Sequence, residues 1–132
     1  MRVVIVVLAL AAAGYLAVQE RAARAGADIQ KVALSGERDP TRQELAKARE
    51  QVKVATRANP DTEPIVNLGV VEARAGDFRA AGATLASVTA REPENAQAWS
   101  LLAFAARRYD SGLAATARAR ARALMPPVPR AR

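Results

Sequence analysis

The chain has 132 residues, of which 51% are apolar but only 4% aromatic, and its formal net charge is +7. Alanine is abundant and favours helices over strands, so a β-sandwich or a β-barrel is disfavoured. The chain contains no Cys and no His, which removes disulfides, thiolate metal sites and the commonest general base. We therefore expect an all-helical protein that is not an enzyme and that uses neither a cofactor nor a metal.

Residues 1–18 form the first predicted element, an apolar helix. Residues 3–18, which follow Arg2, contain no charged side chain. As a helix they span about 24 Å, less than the ~30 Å hydrocarbon core of a bilayer. Three interpretations are open: an uncleaved transmembrane anchor, a cleaved signal peptide and a buried core helix.

Two features bear on these interpretations. A signal peptide would be cleaved after the small residues 11–13, but the apolar character continues to Val18. An anchor would be lengthened by a snorkelling Arg2 and by Tyr15 at the opposite interface. The sequence favours a single-pass anchor that contacts the membrane through residues 3–18.

The topology of such an anchor is weakly indicated. A short basic end, an apolar run and a long domain, in that order, favour an extracytoplasmic domain, because long domains translocate largely regardless of their charge. The Lys/Arg count after the run (Arg21, Arg24 and Lys31) favours a cytoplasmic domain instead. We expect export of the domain.

Residues 19–35 continue the helix as a juxtamembrane segment. Its weak apolar stripe at helical spacing consists of Ala22, Gly26, Ile29 and Ala33. The segment is predicted to be a solvated extension, a stalk or a helix that pairs with another. Gly36 ends it, and the hinge 36–41 follows, in which Asp39 is the expected N-cap and Pro40 the first residue of the next helix.

Residues 42–125 are predicted to form a helical repeat domain. Each unit is broken near its middle, at 76–77 and, one unit later, at 109–112. Two short helices in roughly 34 residues are typical of a helix–turn–helix repeat. The units are separated by prolines, which end helices, at intervals of 33 and 34 residues: Pro60, Pro93 and Pro127.

The central unit resembles the tetratricopeptide repeat. The residues that carry the resemblance are Ile65, Leu68, Gly69, Phe78, Ala81, Leu85, Val88 and Pro93, followed in the next unit by Trp99, Leu102, Ala103, Ala115 and Pro127. The resemblance implies a solenoid of about two and a half helical hairpins after the N-terminal helix. Small residues at Gly69 and Ala81 would let paired helices approach closely. The expected core consists of Ile65, Leu68, Phe78, Leu85 and Val88, with Trp99 and Leu102 packing the next pair onto it.

The sequence departs from the family pattern at several positions. Glu72 and Ala106 stand where the family usually has an aromatic residue, and the first unit lacks its leading helix. Residues 113–125 fit two registers, one of them through Ala114, Ala117, Ala121 and Leu124. Because solenoids usually need three repeats for a continuous core, we expect completion by a homo-oligomer, by a bound partner or by residues 19–34.

The resemblance also implies a function, the binding of a protein or peptide along the inner face of the repeats. The residues expected on that face are Val66, Asn67, Val70, Ala73 and Arg74 in one unit and Ser100, Leu101, Phe104, Arg107 and Arg108 in the next. Asn67, Arg74, Arg107 and Arg108 together would bind carboxylates, or the arginines would simply form a solvated face. The protein is therefore expected to be a membrane-tethered, non-catalytic scaffold.

An alternative function lies in the basic C-terminal end, which includes the Pro- and Arg-rich tail 126–132. Its arginines are Arg118, Arg120, Arg122, Arg130 and Arg132. They would bind anionic lipid or nucleic acid, or would only complement the helix dipole. Nucleic acid is the weaker candidate, because no aromatic residue alternates with these arginines to stack on bases.

Overall fold

The computed structural model describes residues 2–36, 38–58 and 60–125, and it describes side chains from residue 11 onward, residue 58 excepted. This part of the chain contains six helices and no strand. They are α1 (Arg2–Leu34), α2 (Arg42–Ala58), α3 (Glu63–Arg74), α4 (Phe78–Arg91), α5 (Ala96–Ala106) and α6 (Ser111–Leu124). The predicted all-α class is confirmed.

The helices pair in chain order into three hairpins, α1–α2, α3–α4 and α5–α6. α1 also contacts α3, and α3 contacts α5, so α1, α3 and α5 form one continuous layer. α2 and α4 lie in the second layer, where each packs on the first helix of the following hairpin. Successive helices contact each other directly in the first layer (α1 with α3, and α3 with α5), whereas α2 and α4 do not contact each other. The first layer is therefore the inner side of the array.

The first hairpin uses α1 as its leading helix. Ala22, Ala25, Ile29 and Ala33 are buried, and Ile29 is fully inaccessible. Residues 19–34 are therefore a pairing helix rather than a solvated extension, and they supply the helix that the first repeat unit lacks. The apolar stripe runs through Ala25 instead of the predicted Gly26, which is only half-buried.

The apolar N-terminal part of α1 extends beyond this packing. Tyr15, Leu16 and Val18 are exposed. Among the residues whose side chains are described, no helix contains a stretch long and apolar enough to cross a lipid bilayer. The first half of the expected anchor, residues 3–10, lies outside those described side chains.

α2 begins two residues later than predicted, with Thr41 and not Asp39 as its cap. The Thr41 hydroxyl accepts from the Glu44 backbone N–H at 3.2 Å, and the Glu44 carboxylate accepts from the Thr41 backbone N–H at 2.8 Å. This reciprocal pair is a capping box. Arg38 also donates to Glu44, and these hydrogen bonds, that from Arg38 foremost, lower the pKa of Glu44 to about 2.

The later helix boundaries agree with the predicted turns. The side chains of Asp77, Asn95 and Asp110 cap α4, α5 and α6 by accepting from backbone N–H groups. Gly76 has a φ of +82°, which L side chains rarely adopt, so a glycine is required between α3 and α4. The tail 126–132, with Arg130 and Arg132, lies outside the described residues, as does Asn59.

The larger core cluster lies between the second and third hairpins. It consists of Val66, Ala81, Leu85, Val88, Ala98, Leu102, Ala103, Ala105 and Ala117, with Ile65 and Trp99 packed against it. Leu68 instead joins Ala33, Ala48 and Val71 in a cluster against the first hairpin. Phe78 belongs to neither cluster, contrary to the prediction, and lies half-buried at the start of α4 with its ring against Phe104.

Inside the second hairpin, Gly69 lies close to the Leu85 side chain, and Ala81 is fully buried. A Cβ at Gly69 would lie 2.7 Å from the Leu85 Cγ, which is too close for a real contact. A second close approach, at Gly82, was not predicted. A Cβ there would lie 1.8 Å from the hydroxyl oxygen of Tyr109, so the tyrosine uses the space that the glycine leaves.

The structure decides between the two registers of α6. Ala114, Ala117 and Ala121 are buried, whereas Ala115 is exposed. The residue equivalent to Ala81 is therefore Ala114, and the repeat interval is 33 residues in the second helices but 34 in the first. The extra residue in the second unit lies around the turn at Gly76.

Candidate functional site

The residues expected on the inner face have different surroundings in the structure. Asn67 lines two adjoining cavities, of about 280 and 320 Å³, between α1 and the start of α3. Asp61 and Glu63 line both cavities as well. This part of the inner face is acidic, which does not favour the carboxylate binding predicted to involve Asn67.

Hydrogen bonds also stabilise the acidic end of this face. Thr62 donates through its hydroxyl to Glu92 at 2.6 Å, and the Asn95 amide donates to the other oxygen of Glu92 at 2.8 Å. These two hydrogen bonds lower the pKa of Glu92. They join the start of α3 to the turn before α5.

Arg74 has structural partners within the chain. Its guanidinium donates to the carbonyl oxygens of Val32 at 2.7 Å and Ala33 at 3.2 Å, and also to the carbonyl of Arg38. Carbonyls at the end of a helix lack intrahelical partners. Arg74 therefore caps α1 across the first two hairpins, and these hydrogen bonds compete with the ligand-binding role predicted for it.

Two further predicted contact residues are partly covered by the protein itself. Val70 packs on the cluster of the first hairpin, and Leu101 packs on the main cluster. Arg108 stacks its guanidinium over the Phe78 ring at 5.2 Å from the centroid. Of the seven predicted contact residues, Phe104 and Arg107 remain exposed in a groove.

That groove lies between α5 and α6, at the last hairpin, and is called the end groove here. It has a volume of about 310 Å³. Phe104 and Met125 are about half exposed, at 51% and 50%. The end groove is lined by Ser100, Ala103, Phe104, Arg107, Arg118, Ala121, Arg122 and Met125.

The charge of the end groove has one sign. Arg107 comes from α5, whereas Arg118 and Arg122, four residues apart, share a face of α6. None of the described residues that line the groove is acidic. An apolar floor thus lies between cationic groups on both helices, an arrangement that suits an anionic, partly apolar ligand.

The sequence alone identified only part of this groove. It placed Phe104 and Arg107 at a binding face and Arg118 with Arg122 on one face of a helix, but as two separate surfaces. Ser100 was expected on the same binding face as Phe104 and Arg107, whereas Ala103 was expected as a repeat position and Met125 was not expected at all. The four-residue spacing of Arg118 and Arg122 indicates that they share a helix face. Their distance from Phe104 depends on the register of α6, which the sequence left open.

A buried ionic network was also missed. Glu72 is 3% exposed and accepts from Arg49 of α2 at 3.0 Å and from the Thr84 hydroxyl at 2.7 Å. Arg49 also donates to Asp77 at 2.9 Å, and its hydrogen bonds to Asp77 and Glu72 raise its pKa. The carboxylate at the family's aromatic position is thus paired, and it joins the first hairpin to the second.

The described residues contain no group of three Asp, Glu, His or Cys side chains that would hold a metal ion. The Asp61 carboxylate accepts from the Glu63 backbone N–H at 3.0 Å, so that acidic pair has a capping role. Glu37, of the other predicted acidic pair, lies outside the described residues.

Comparison with protein-family models, with curated proteins and with solved structures finds no match to this chain.

Proposed function

We propose that this protein is a non-catalytic scaffold of tetratricopeptide-like hairpins that binds another protein through its C-terminal hairpin. The observation that carries the proposal is the end groove, which is lined by an exposed Phe104 and by arginines of two different helices. A half-exposed aromatic ring beside Arg side chains is the composition that dominates protein–protein binding sites. The proposed contact surface differs from the inner face implied by the family resemblance, because Asn67 and Arg74 lie elsewhere.

The test is capture of partners from cells by the full chain. The variant Phe104→Glu/Arg107→Glu replaces the apolar floor and one cationic rim with carboxylates. Arg120→Glu is the matched control, since Arg120 is exposed on α6 but does not line the groove. We expect the double variant to lose partners that the control retains. An identical set of partners for all three proteins would refute the proposal.

We further propose that residues 3–18 tether the domain to a membrane, with the repeats on the extracytoplasmic side. Support comes from the uncharged run in the sequence and from the exposed Tyr15, Leu16 and Val18. Carbonate extraction of membranes and N-terminal sequencing of the mature protein test this. A protein released by carbonate, or one that begins after residues 11–13, would contradict an uncleaved anchor.

The second candidate function is binding to anionic lipid, and the exposure of Arg118, Arg120 and Arg122 along α6 favours it. Contacts of this kind weaken steeply with ionic strength. Binding of the full chain to anionic and to neutral vesicles, measured over a range of salt concentrations, tests it. Equal binding to both vesicles would exclude it, and losing all three arginines should abolish a true lipid contact.

A further inference from the structure

The end groove occupies the place where one more helix would join the array. α5 packs on the hairpin before it through a surface we call the receiving face, formed by Val66, Ala73, Leu85 and Val88. In the last hairpin the equivalent positions are Ser100, Arg107, Arg118 and Ala121, by the intervals of 34 and 33 residues. All four line the end groove.

The two surfaces differ in polarity. Three apolar residues of the receiving face are replaced in the end groove by Ser100, Arg107 and Arg118. A polar outer face is what a terminal repeat needs for solubility. Solubility alone does not explain two further differences: a larger apolar residue, Phe104, stands at the position equivalent to Val70, and an apolar residue, Met125, stands at the position equivalent to Glu92.

We propose that the end groove receives an amphipathic helix of another protein, which packs as a seventh helix on α5 and α6. Its apolar stripe covers Phe104, Ala121 and Met125. Its acidic side chains flank that stripe on both sides, because Arg107 lies on one helix of the groove and Arg118 and Arg122 on the other. This inference rests on the proposed function and specifies its partner as an acidic helix.

The charge of this chain does not favour its own helices or its tail as the occupant. The net charge of the chain is +7. Helices α4, α5 and α6 contain no acidic residue, and the acidic residues of the other three are interspersed with basic ones. Residues 126–132 contain Arg130 and Arg132 and no acidic residue. The tail, or helices α4, α5 and α6 of a second copy, would therefore bring no negative charge to a positive groove.

The probe is a labelled synthetic peptide with Leu at helical i, i+3, i+4 and i+7 positions and Glu on both flanks. A peptide of the same composition, scrambled so that it has no apolar face, is its control. Binding to the full chain is measured by fluorescence anisotropy. We expect saturable binding of the amphipathic peptide and at least tenfold weaker binding of the scrambled one.

Variants of the chain locate the contact. Arg118→Glu/Arg122→Glu and, separately, Phe104→Ala should each weaken peptide binding by about tenfold. Arg120→Glu should leave it unchanged within about twofold, since it reverses one charge on the same helix but outside the groove. Circular dichroism of each variant checks its helix content. Arg107→Gln, on the α5 side of the groove, tests the contact independently of α6.

Three results would overturn the inference. The first is the absence of saturable binding up to about 1 mM peptide, the weak end of specific affinities. The others are equal binding of the amphipathic and scrambled peptides, or a loss of peptide binding in Arg120→Glu as large as that in Arg118→Glu/Arg122→Glu. The two proposals fail separately. If Phe104→Glu/Arg107→Glu loses its cellular partners while the amphipathic peptide does not bind, the scaffold function stands and the acidic helix is wrong. If the peptide binds as expected and cellular partners are unaffected, the groove is real but is not the scaffold's contact.

Discussion

Removing Arg49 should destabilise the domain by isolating a buried carboxylate. Glu72 is 3% exposed, and Arg49 supplies one of its two side-chain hydrogen bonds. Breaking a buried ion pair from one side costs about 3–5 kcal/mol. Because the Arg49 side chain is 41% exposed, water reaches the pair, and we expect Arg49→Met to lower the free energy of unfolding by roughly 2 kcal/mol.

The matched variant removes the carboxylate as well. Replacing a buried pair by apolar side chains is often neutral or stabilising, so Arg49→Met/Glu72→Leu should recover at least about 1 kcal/mol relative to Arg49→Met. Urea unfolding followed by circular dichroism measures both, with equal m-values as the check on two-state behaviour. A loss below about 0.5 kcal/mol in the single variant, or a double variant less stable than the single one, would refute the reasoning.

Three further predictions concern the glycines and the cap of α2. Gly69→Ala should lower the free energy of unfolding by about 1–3 kcal/mol, because its Cβ meets Leu85. Gly26→Ala, whose Cβ would lie 3.8 Å from Pro64, should instead raise the free energy of unfolding by about 0.5–1 kcal/mol. Equal effects of the two variants in urea unfolding would contradict this. Gly82→Ala should displace Tyr109 from its stack with Arg79, at about 1–3 kcal/mol, and cost less in a Tyr109→Ala background. The low pKa of Glu44, about 2, means that its stabilising effect is complete above its ordinary value of 4.5 and is lost as the pH falls towards 2. In an NMR titration of the Glu44 carboxyl, Arg38→Met should raise its pKa more than Thr41→Ala does, since the Arg38 hydrogen bond is the larger cause; the opposite order would refute it.

The helix boundaries were predictable because local chemistry sets them. Gly76 provides a positive φ, and Asp77 and Asp110 accept hydrogen bonds from the N–H groups that follow them. Each of these signals lies within a few residues of the boundary it marks. The start of α2 was predicted two residues early because Asp39 and Pro40 also resemble a helix start, and only the contact with Glu44 distinguishes Thr41.

What the sequence did not predict depends on contacts between distant residues. Arg74 looked like a ligand-binding residue, but its partners are carbonyls about forty positions earlier. Glu72 stands where the resemblance implies an aromatic residue, and nothing near it in the sequence indicates that Arg49 of the preceding hairpin is its partner. Alanine-rich helices add to this difficulty, because a stripe of small apolar residues such as that of α1 does not indicate its partner.

The unbroken length of α1 determines how the domain is held. The helix has 33 residues, so it is a rod of roughly 50 Å. Val18 is exposed and Ala22 is buried against the first hairpin, so about one helical turn separates the free part of the rod from the packed part. No swivel exists between them. Whatever binds the N-terminal end therefore sets the distance and the orientation of the last hairpin relative to that binding site. A rotation of α1 about its axis would rotate the hairpins with it.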